Sequence, residues 1–392
     1  MSTDNINAQL QQTTISPQSR CTHTTLPHKY RKIDIHTHIL PDIIPDLQAR
    51  YGYGNWVTLQ HTCATKANMY KGSEFFRSID SNCYNAEQRI QEMNECGIDV
   101  QVLSTVPVMF SYWAKPEDTL DLCMLLNNHI AAICNKYPNR FVGLATLPMQ
   151  HTELACQELK RCMNELGLVG VQIGSHINNM TLGDAKLYPI FELCAELSAS
   201  IFVHPWDMPL SDTLYKKYWL TWLVGMPSET CLAICSMMFS GIFQKLPQLR
   251  VAFAHGGGSF TGTIGRIEHG YNVRPDLCQI DCSINPRDQC KSIYVDSLTH
   301  DHANLQSIID LFGINNIVLG TDYPFPLGEA HTGELIESCT TLTDKQKQQI
   351  MWENGMKFLG LDSNKFELVR ALDTDDKLST TIDNESKHEI TQ

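Results

Sequence analysis

From residue 31 to about 361 the chain repeats one pattern: a short apolar run, a turn, then a longer stretch with helical periodicity. The opening run, Lys32–Pro41, alternates apolar residues through Ile33 and Ile35, as a strand with two distinct faces does. Further strand-like runs fall at Val100–Val106, Phe141–Leu147, Val169–Gly174, Ser200–His204, Arg250–His255, Ile293–Leu298 and Asn316–Thr321. Helical patterns lie between them, near 86–96, 117–136, 152–166, 184–197, 228–244, 259–269 and 302–312. With the opening strand this makes eight strand units, which predicts an α/β fold, a (β/α)8 TIM barrel with its working residues at the C-terminal strand ends. A doubly wound open sheet is the competing arrangement, although no Gly-x-Gly-x-x-Gly turn follows the first strand. The pattern over 331–360 predicts a helix that closes the barrel.

One segment breaks the alternation. Residues 43–84 carry Tyr51-Gly52-Tyr53-Gly54 and Trp56-Val57-Thr58-Leu59, so turn formers and β-type residues stand where a helix should follow. They predict a small inserted β-sheet over the end of the first strand. The first 30 residues are rich in Gln, Thr and Ser, lack an apolar signal core and are expected to be a disordered extension. Residues 31–361 form the barrel domain, and 362–392, acidic and polar, read as a disordered tail.

Composition narrows the function classes. A net charge of −13 disfavours nucleic acid or an anionic membrane as partner, yet leaves room for a small anionic substrate held by local arginines. Fifteen cysteines without a CxxC or regular spacing fit a reducing, cytoplasmic compartment better than a disulfide framework. No run approaches the roughly 20 apolar residues of a membrane span.

The polar residues at the strand ends carry the chemistry. The first strand ends in His36 and His38, two apart and therefore on one face. The fifth ends in His204, the sixth in His255 followed by Gly256-Gly257-Gly258, and the eighth in Asp322. A single such histidine is more often structural, but five N and O donors at matching positions of separate units point to a metal site. Three or four such donors with an open position suit a catalytic zinc, which brings bound water to a pKa of about 7. Manganese or iron tolerates similar ligands. The fourth strand ends in Gln172-Ile173-Gly174-Ser175, with no lysine to bridge two ions, so a mononuclear site is expected. The glycine run permits close backbone approach to a ligand, or simply a tight turn.

This set of strand-end residues resembles the amidohydrolase superfamily, and longer runs resemble its metal-dependent decarboxylases. Those runs are Lys32–Pro41, Ser104–Asp118, Phe202–Met208, Phe253–Gly258 and Leu319–Gly328. The resemblance covers residues 31 to 361. It implies one Zn2+ per subunit, no organic cofactor, ligands His36, His38, His204 and Asp322, and His255 as the acid/base residue. It implies Arg77 as the carboxylate-binding arginine, Lys71 as a nearby polar contact, and Trp222 and Phe325 as pocket walls. It further implies a homodimer in which Arg266 and Arg274 lie around the interface, one or more of them reaching the partner's site. The expected reaction is loss of CO2 from a conjugated dicarboxylate bearing an amino group and an aldehyde. A hydrolase of amides, esters or lactones, or a hydroxybenzoate-type decarboxylase, is the alternative. The long N-terminal extension and the polar tail depart from the family pattern.

Overall fold

Ile33–Ile39 forms β1, and every residue in it is buried. The barrel continues through β5 (Val100–Thr105), β6 (Phe141–Ala145), β7 (Gly170–Gly174), β10 (Ser200–His204), β11 (Val251–Phe253), β12 (Tyr294–Asp296) and β13 (Ile317–Val318), in that spatial order. The pairings between neighbours are parallel. Strands β2 (Val57–Cys63), β3 (Lys66–Lys71) and β4 (Glu74–Asp80) form the inserted antiparallel sheet, and β8 (His176–Ile177) and β9 (Met180–Thr181) a short hairpin. The computed structural model describes residues 29–364 and Phe366. The expectations for 1–28 and for most of 362–392 lie outside that range. Within it, Tyr30 is buried and bonds Asp344, and Phe366 packs on Trp352, so both ends of the described chain are held against the barrel.

The barrel closes where the first and last strands meet. Ile35 N donates to Leu319 O at 3.0 Å and His38 N to Tyr323 O at 2.8 Å. Thr321 N and Oγ1 both donate to the Asp34 carboxylate, at 3.1 and 2.6 Å. These bonds take over from the regular ladder after Val318, which is why β13 is shorter than the apolar run predicting it. Alternation separates two apolar layers. Along β10, Ile201 and Val203 join the outer core with helix residues such as Ile234 and Met238, while Phe202 joins an inner cluster. The Phe202 ring lies 4.8 Å from that of His36, directly against the strand-end histidines. Burying one such ring contributes about 1.5–3 kcal/mol by transfer alone.

The main helices among the described residues are α1 (Leu47–Tyr51), α2 (Ala86–Cys96), α3 (Pro116–Lys136), α4 (Thr152–Asn164), α5 (Tyr188–Glu196), α6 (Met226–Phe239), α7 (Phe260–Val273), α8 (His302–Phe312) and α9 (Asn354–Leu359), with other short helices and turns between. Local chemistry sets their ends. Asn85 accepts from Gln88 N to start α2, and Gly97, at φ 67°, ends it. Two expectations need correction. The pattern over 331–360 is not one helix: Glu334–Ser338 ends before Thr343, whose capping box with Gln346 starts a new one. And among the described residues one helical run, Thr221–Phe239, is long and apolar enough by length and composition to cross a membrane. Its Ala233, Ile234, Met237 and Met238 belong to the outer core of the barrel, the packing of a core helix.

The inserted sheet has its own core, in which Trp56, Val57, Ala67, Met69 and Ile79 pack against Val106, Met109, Leu122 and Leu126 of the neighbouring βα unit. This fastens the sheet over the barrel mouth. The β3–β4 register slips by one residue between Met69 and Tyr70. A bulge of that kind breaks the strict alternation of faces, and Phe76 and the adjacent Arg77 both line the cavity below.

Candidate metal centre and active site

Four imidazoles and one carboxylate converge at the C-terminal mouth of the barrel. The rings of His36, His38 and His204 lie 5.0–5.1 Å apart, and that of His255 lies 5.1 Å from those of His36 and His204, all at steep angles. Asp322 Oδ1 is 3.0 Å from His38 Nε2 and 3.4 Å from His36 Nε2, and Asp322 Oδ2 is 3.7 Å from His255 Nε2. Ligand atoms of His36, His204, His255 and Asp322 all lie within 4.8 Å of one another.

The hydrogen bonds on the far side of the rings fix which nitrogen of each carries the proton. His36 Nδ1 donates to Asp296 Oδ2 at 2.7 Å, His38 Nδ1 to Thr105 O at 3.2 Å, and His204 Nδ1 to Pro205 O at 2.7 Å. An oxygen acceptor at Nδ1 places the proton there and leaves a lone pair on Nε2. All three Nε2 atoms are buried without a hydrogen-bond partner. Buried orphans are costly unless something occupies them, and three bare nitrogens beside a carboxylate fit a divalent metal. His255 differs: its orphaned atom is Nδ1, and its ring is more exposed than the other three. Proximity alone groups it with His36, His204 and Asp322, whereas its hydrogen bonding and exposure set it apart.

Burial and charge act differently on the three rings. Burial, then the neighbouring His38, His36 and His255, hold His204 well below the ordinary imidazole range, and burial likewise lowers His38. Burial also disfavours charge on His36, but Asp296 and Asp322 outweigh it and push this group up to about 10. Desolvation opposes ionisation of Asp322, yet its contacts with His255, His36 and His38 hold it well below the usual carboxylate range.

Above the cluster opens a cavity of about 860 Å3, lined by His38, His204, His255 and Asp322 below and by Lys71, Arg77, Trp222 and Phe325 above. Arg77 Cζ lies 4.7 Å from the Phe76 ring, 4.9 Å from Trp222 and 4.7 Å from Phe325. Burial lowers its pKa and the field of Asp322 raises it. A guanidinium flanked by rings keeps its fork pre-oriented for a planar carboxylate. Arg266 and Arg274 do not line this cavity; Arg266 is exposed on α7, and Arg274 pairs with Asp276 at 2.7 Å.

The glycine run after His255 resolves as a tight turn, with His255, Gly256, Gly257 and Gly258 all at positive φ. A Cβ at Gly258 would meet Pro227 O at 2.4 Å, and one at Gly256 would meet Thr299 Cγ2 at 2.6 Å, so the turn is crowded by protein on those sides. The sequence reading omits Asp296, Arg89 and His300. Asp296 is a carboxylate ending an apolar strand, the same signal that marks the other strand ends. Arg89 and His300 carry no such signal, because only folding brings α2 to the strand end and His300 into the cavity wall.

Comparison with known proteins agrees with this architecture. The amidohydrolase family model matches residues 33–361. The chain is 56% identical over 335 residues to a 2-amino-3-carboxymuconate-6-semialdehyde decarboxylase of Dictyostelium discoideum, covering 86% of this chain and 93% of that protein. It is 40% identical over 385 residues to the protein of the same name in Caenorhabditis elegans, covering 86% and 96%. Among solved structures, a 5-carboxyvanillate decarboxylase of Novosphingobium aromaticivorans, complexed with manganese, superposes with a TM-score of 0.73 at 21% identity, covering 88% and 99%. The chain belongs to the amidohydrolase family. With the Dictyostelium and Caenorhabditis relatives it forms one sequence family of decarboxylases, and it is a carboxy-lyase.

Proposed function

We propose that the protein is the zinc-dependent decarboxylase that converts 2-amino-3-carboxymuconate 6-semialdehyde to 2-aminomuconate 6-semialdehyde. In the kynurenine branch of tryptophan breakdown this reaction diverts flux from quinolinate and NAD synthesis. The observation that carries the reading is Arg77, caged by Phe76, Trp222 and Phe325 in the same cavity as the histidine cluster. The names of the two relatives above 30% identity support the substrate assignment.

In this reading His36, His38, His204 and Asp322 hold the metal. When bound, the metal supplies Lewis-acid chemistry that polarises an oxygen and lets water act as a nucleophile near neutral pH. Arg77 takes one substrate carboxylate bidentately, Lys71 adds a cation at the rim, and Trp222 and Phe325 hold the conjugated chain against the site. Direct loss of CO2 from a vinyl carbon would leave a localised carbanion, so the carbon chain must first become an electron sink. His255 exchanges a proton at Nε2 with that chain: the C–CO2 bond breaks, CO2 leaves, and the vacated position gains a proton.

The reading includes a cytoplasmic location, supported by the irregular spacing of fifteen cysteines, and a homodimer. Arg266 and Arg274 lie outside their own cavity, which is consistent with service at the partner's. A fully active monomer in sedimentation would remove the dimer from the proposal.

The test follows decay of the semialdehyde chromophore with purified protein, before and after chelation, with 2,6-dihydroxybenzoate as comparison substrate. Turnover of the semialdehyde that chelator abolishes and zinc restores supports the proposal. Turnover of the benzoate alone would replace it with the hydroxybenzoate-type alternative. His255→Ala should keep zinc and lose turnover, whereas His204→Ala or Asp322→Ala should lose zinc. A fully active His255→Ala protein would remove that residue from the mechanism.

A further inference from the structure

Asp296 ends β12 with no solvent exposure, and its two carboxylate oxygens accept from four groups on three segments. Oδ2 accepts from His36 Nδ1 at 2.7 Å and from His255 N at 2.9 Å. Oδ1 accepts from Gly256 N at 2.8 Å and Leu298 N at 3.1 Å. One oxygen therefore touches a histidine of the bare-Nε2 set and the backbone of the histidine that stands apart from it.

We infer that Asp296 is the positioning residue that couples the metal site to the acid/base residue, fixing the His36 tautomer while pinning the turn that presents His255. Two independent features support this. The pinned turn holds His255 at φ 56°, a conformation that non-glycine residues adopt only when their surroundings impose it, and two of the four bonds to Asp296 come from this turn. At Gly320 the chain is stripped of a side chain where the contact forms: a Cβ there would lie 2.8 Å from both Asp296 Cβ and His36 Cβ. On the other side of the His36 ring, Nε2 is the bare, buried atom. A carboxylate behind a ligating imidazole orients the ring and raises its basicity. Here the same carboxylate also sets where His255 stands, so metal binding and proton transfer share one anchor.

The inference rests on the reading of His36 as a metal ligand, and its test separates the two. Asp296→Asn keeps the volume but offers only one acceptor oxygen, so it cannot serve His36 Nδ1, His255 N and Gly256 N together. The expected result is roughly 10–100-fold weaker Zn2+ binding by competition titration and an altered visible spectrum of the Co2+-substituted protein. At saturating zinc, kcat should fall with KM held within about twofold, because cavity residues such as Arg77 are untouched. Unchanged metal affinity and an unchanged Co2+ spectrum would overturn the inference, whatever substrate the enzyme takes. Should Asp296→Asn fail to fold, histidine 15N NMR of the zinc-loaded wild-type protein decides. Coordination through His36 Nε2 with a proton on Nδ1 supports the role; a bare Nδ1 overturns it. Loss of semialdehyde turnover in the wild type, with both metal readouts as expected, would count against the substrate proposal alone.

Discussion

Arg89 donates through Nη1 to the main-chain oxygen of His38 at 2.7 Å, from a site with no solvent exposure. Its other nitrogens reach Thr37 Oγ1 at 2.9 Å and Gln101 Oε1 at 3.2 Å, and its Cζ lies 4.6 Å from the ring of Tyr323, the residue after Asp322. One guanidinium from α2 thus joins the end of β1 to the segment carrying Asp322, the carboxylate beside the histidine cluster. Removing it leaves several buried acceptors without donors, at about 1–3 kcal/mol each. Arg89→Met should therefore lose about 3 kcal/mol or more in urea denaturation and bind less zinc. A loss under about 1 kcal/mol would mean that the clamp contributes little.

Arg77 should matter to substrate and not to fold. Lysine cannot reproduce a planar fork held between rings. Arg77→Lys is expected to keep its melting temperature and lower kcat/KM by about 100-fold, or about 2.7 kcal/mol. Equal kcat/KM in the two proteins would separate Arg77 from the substrate carboxylate.

Asp34 is a fully buried carboxyl whose burial raises its pKa to about 7, against the lowering effect of its bonds from Thr321 and His36 N. The folded chain thus keeps a proton that the unfolded chain releases near pH 4. This contribution to stability is complete below about pH 4 and is lost as pH rises through about 7. Asparagine retains an acceptor for Thr321 N and His36 N, and its amide can face Thr321 Oγ1. In metal-stripped protein, Asp34→Asn should flatten the decline in melting temperature between pH 4 and 7. An identical slope in mutant and wild type would show that Asp34 titrates normally.

Metal should stabilise the fold through the same three bare nitrogens. At free zinc about a thousandfold above Kd, linkage gives about 4 kcal/mol of added stability. Chelation should lower the melting temperature of the wild type accordingly, and scarcely alter that of His204→Ala. A chelator-insensitive wild type would show that the cluster does not bind metal in the folded state.

The alternation of apolar runs and helical patterns was enough to place eight strands and their order, because strand burial and helix amphipathicity are local, periodic properties. It also placed His36, His38, His204, His255 and Asp322 at strand ends, and in a parallel barrel those ends share one rim. Boundaries were less legible where tertiary bonds replace the ladder, as after Val318, or where a cap interrupts a helical pattern, as at Thr343.

By itself, then, the sequence determined the barrel, the inserted sheet and the donors at its mouth. Only the tertiary structure decided how those donors differ. His36, His38 and His204 carry bare Nε2 atoms because Asp296, Thr105 and Pro205 occupy Nδ1, and His255 stands apart because its own Nδ1 lacks a partner while Asp296 holds its backbone. It also decided that Arg77 lies among three rings and that Arg89 clamps two strand ends. The reason is physical: a residue's type and spacing are written locally, whereas the partners of the His36 and His38 ring nitrogens, Asp296 and Thr105, come from strands remote in sequence.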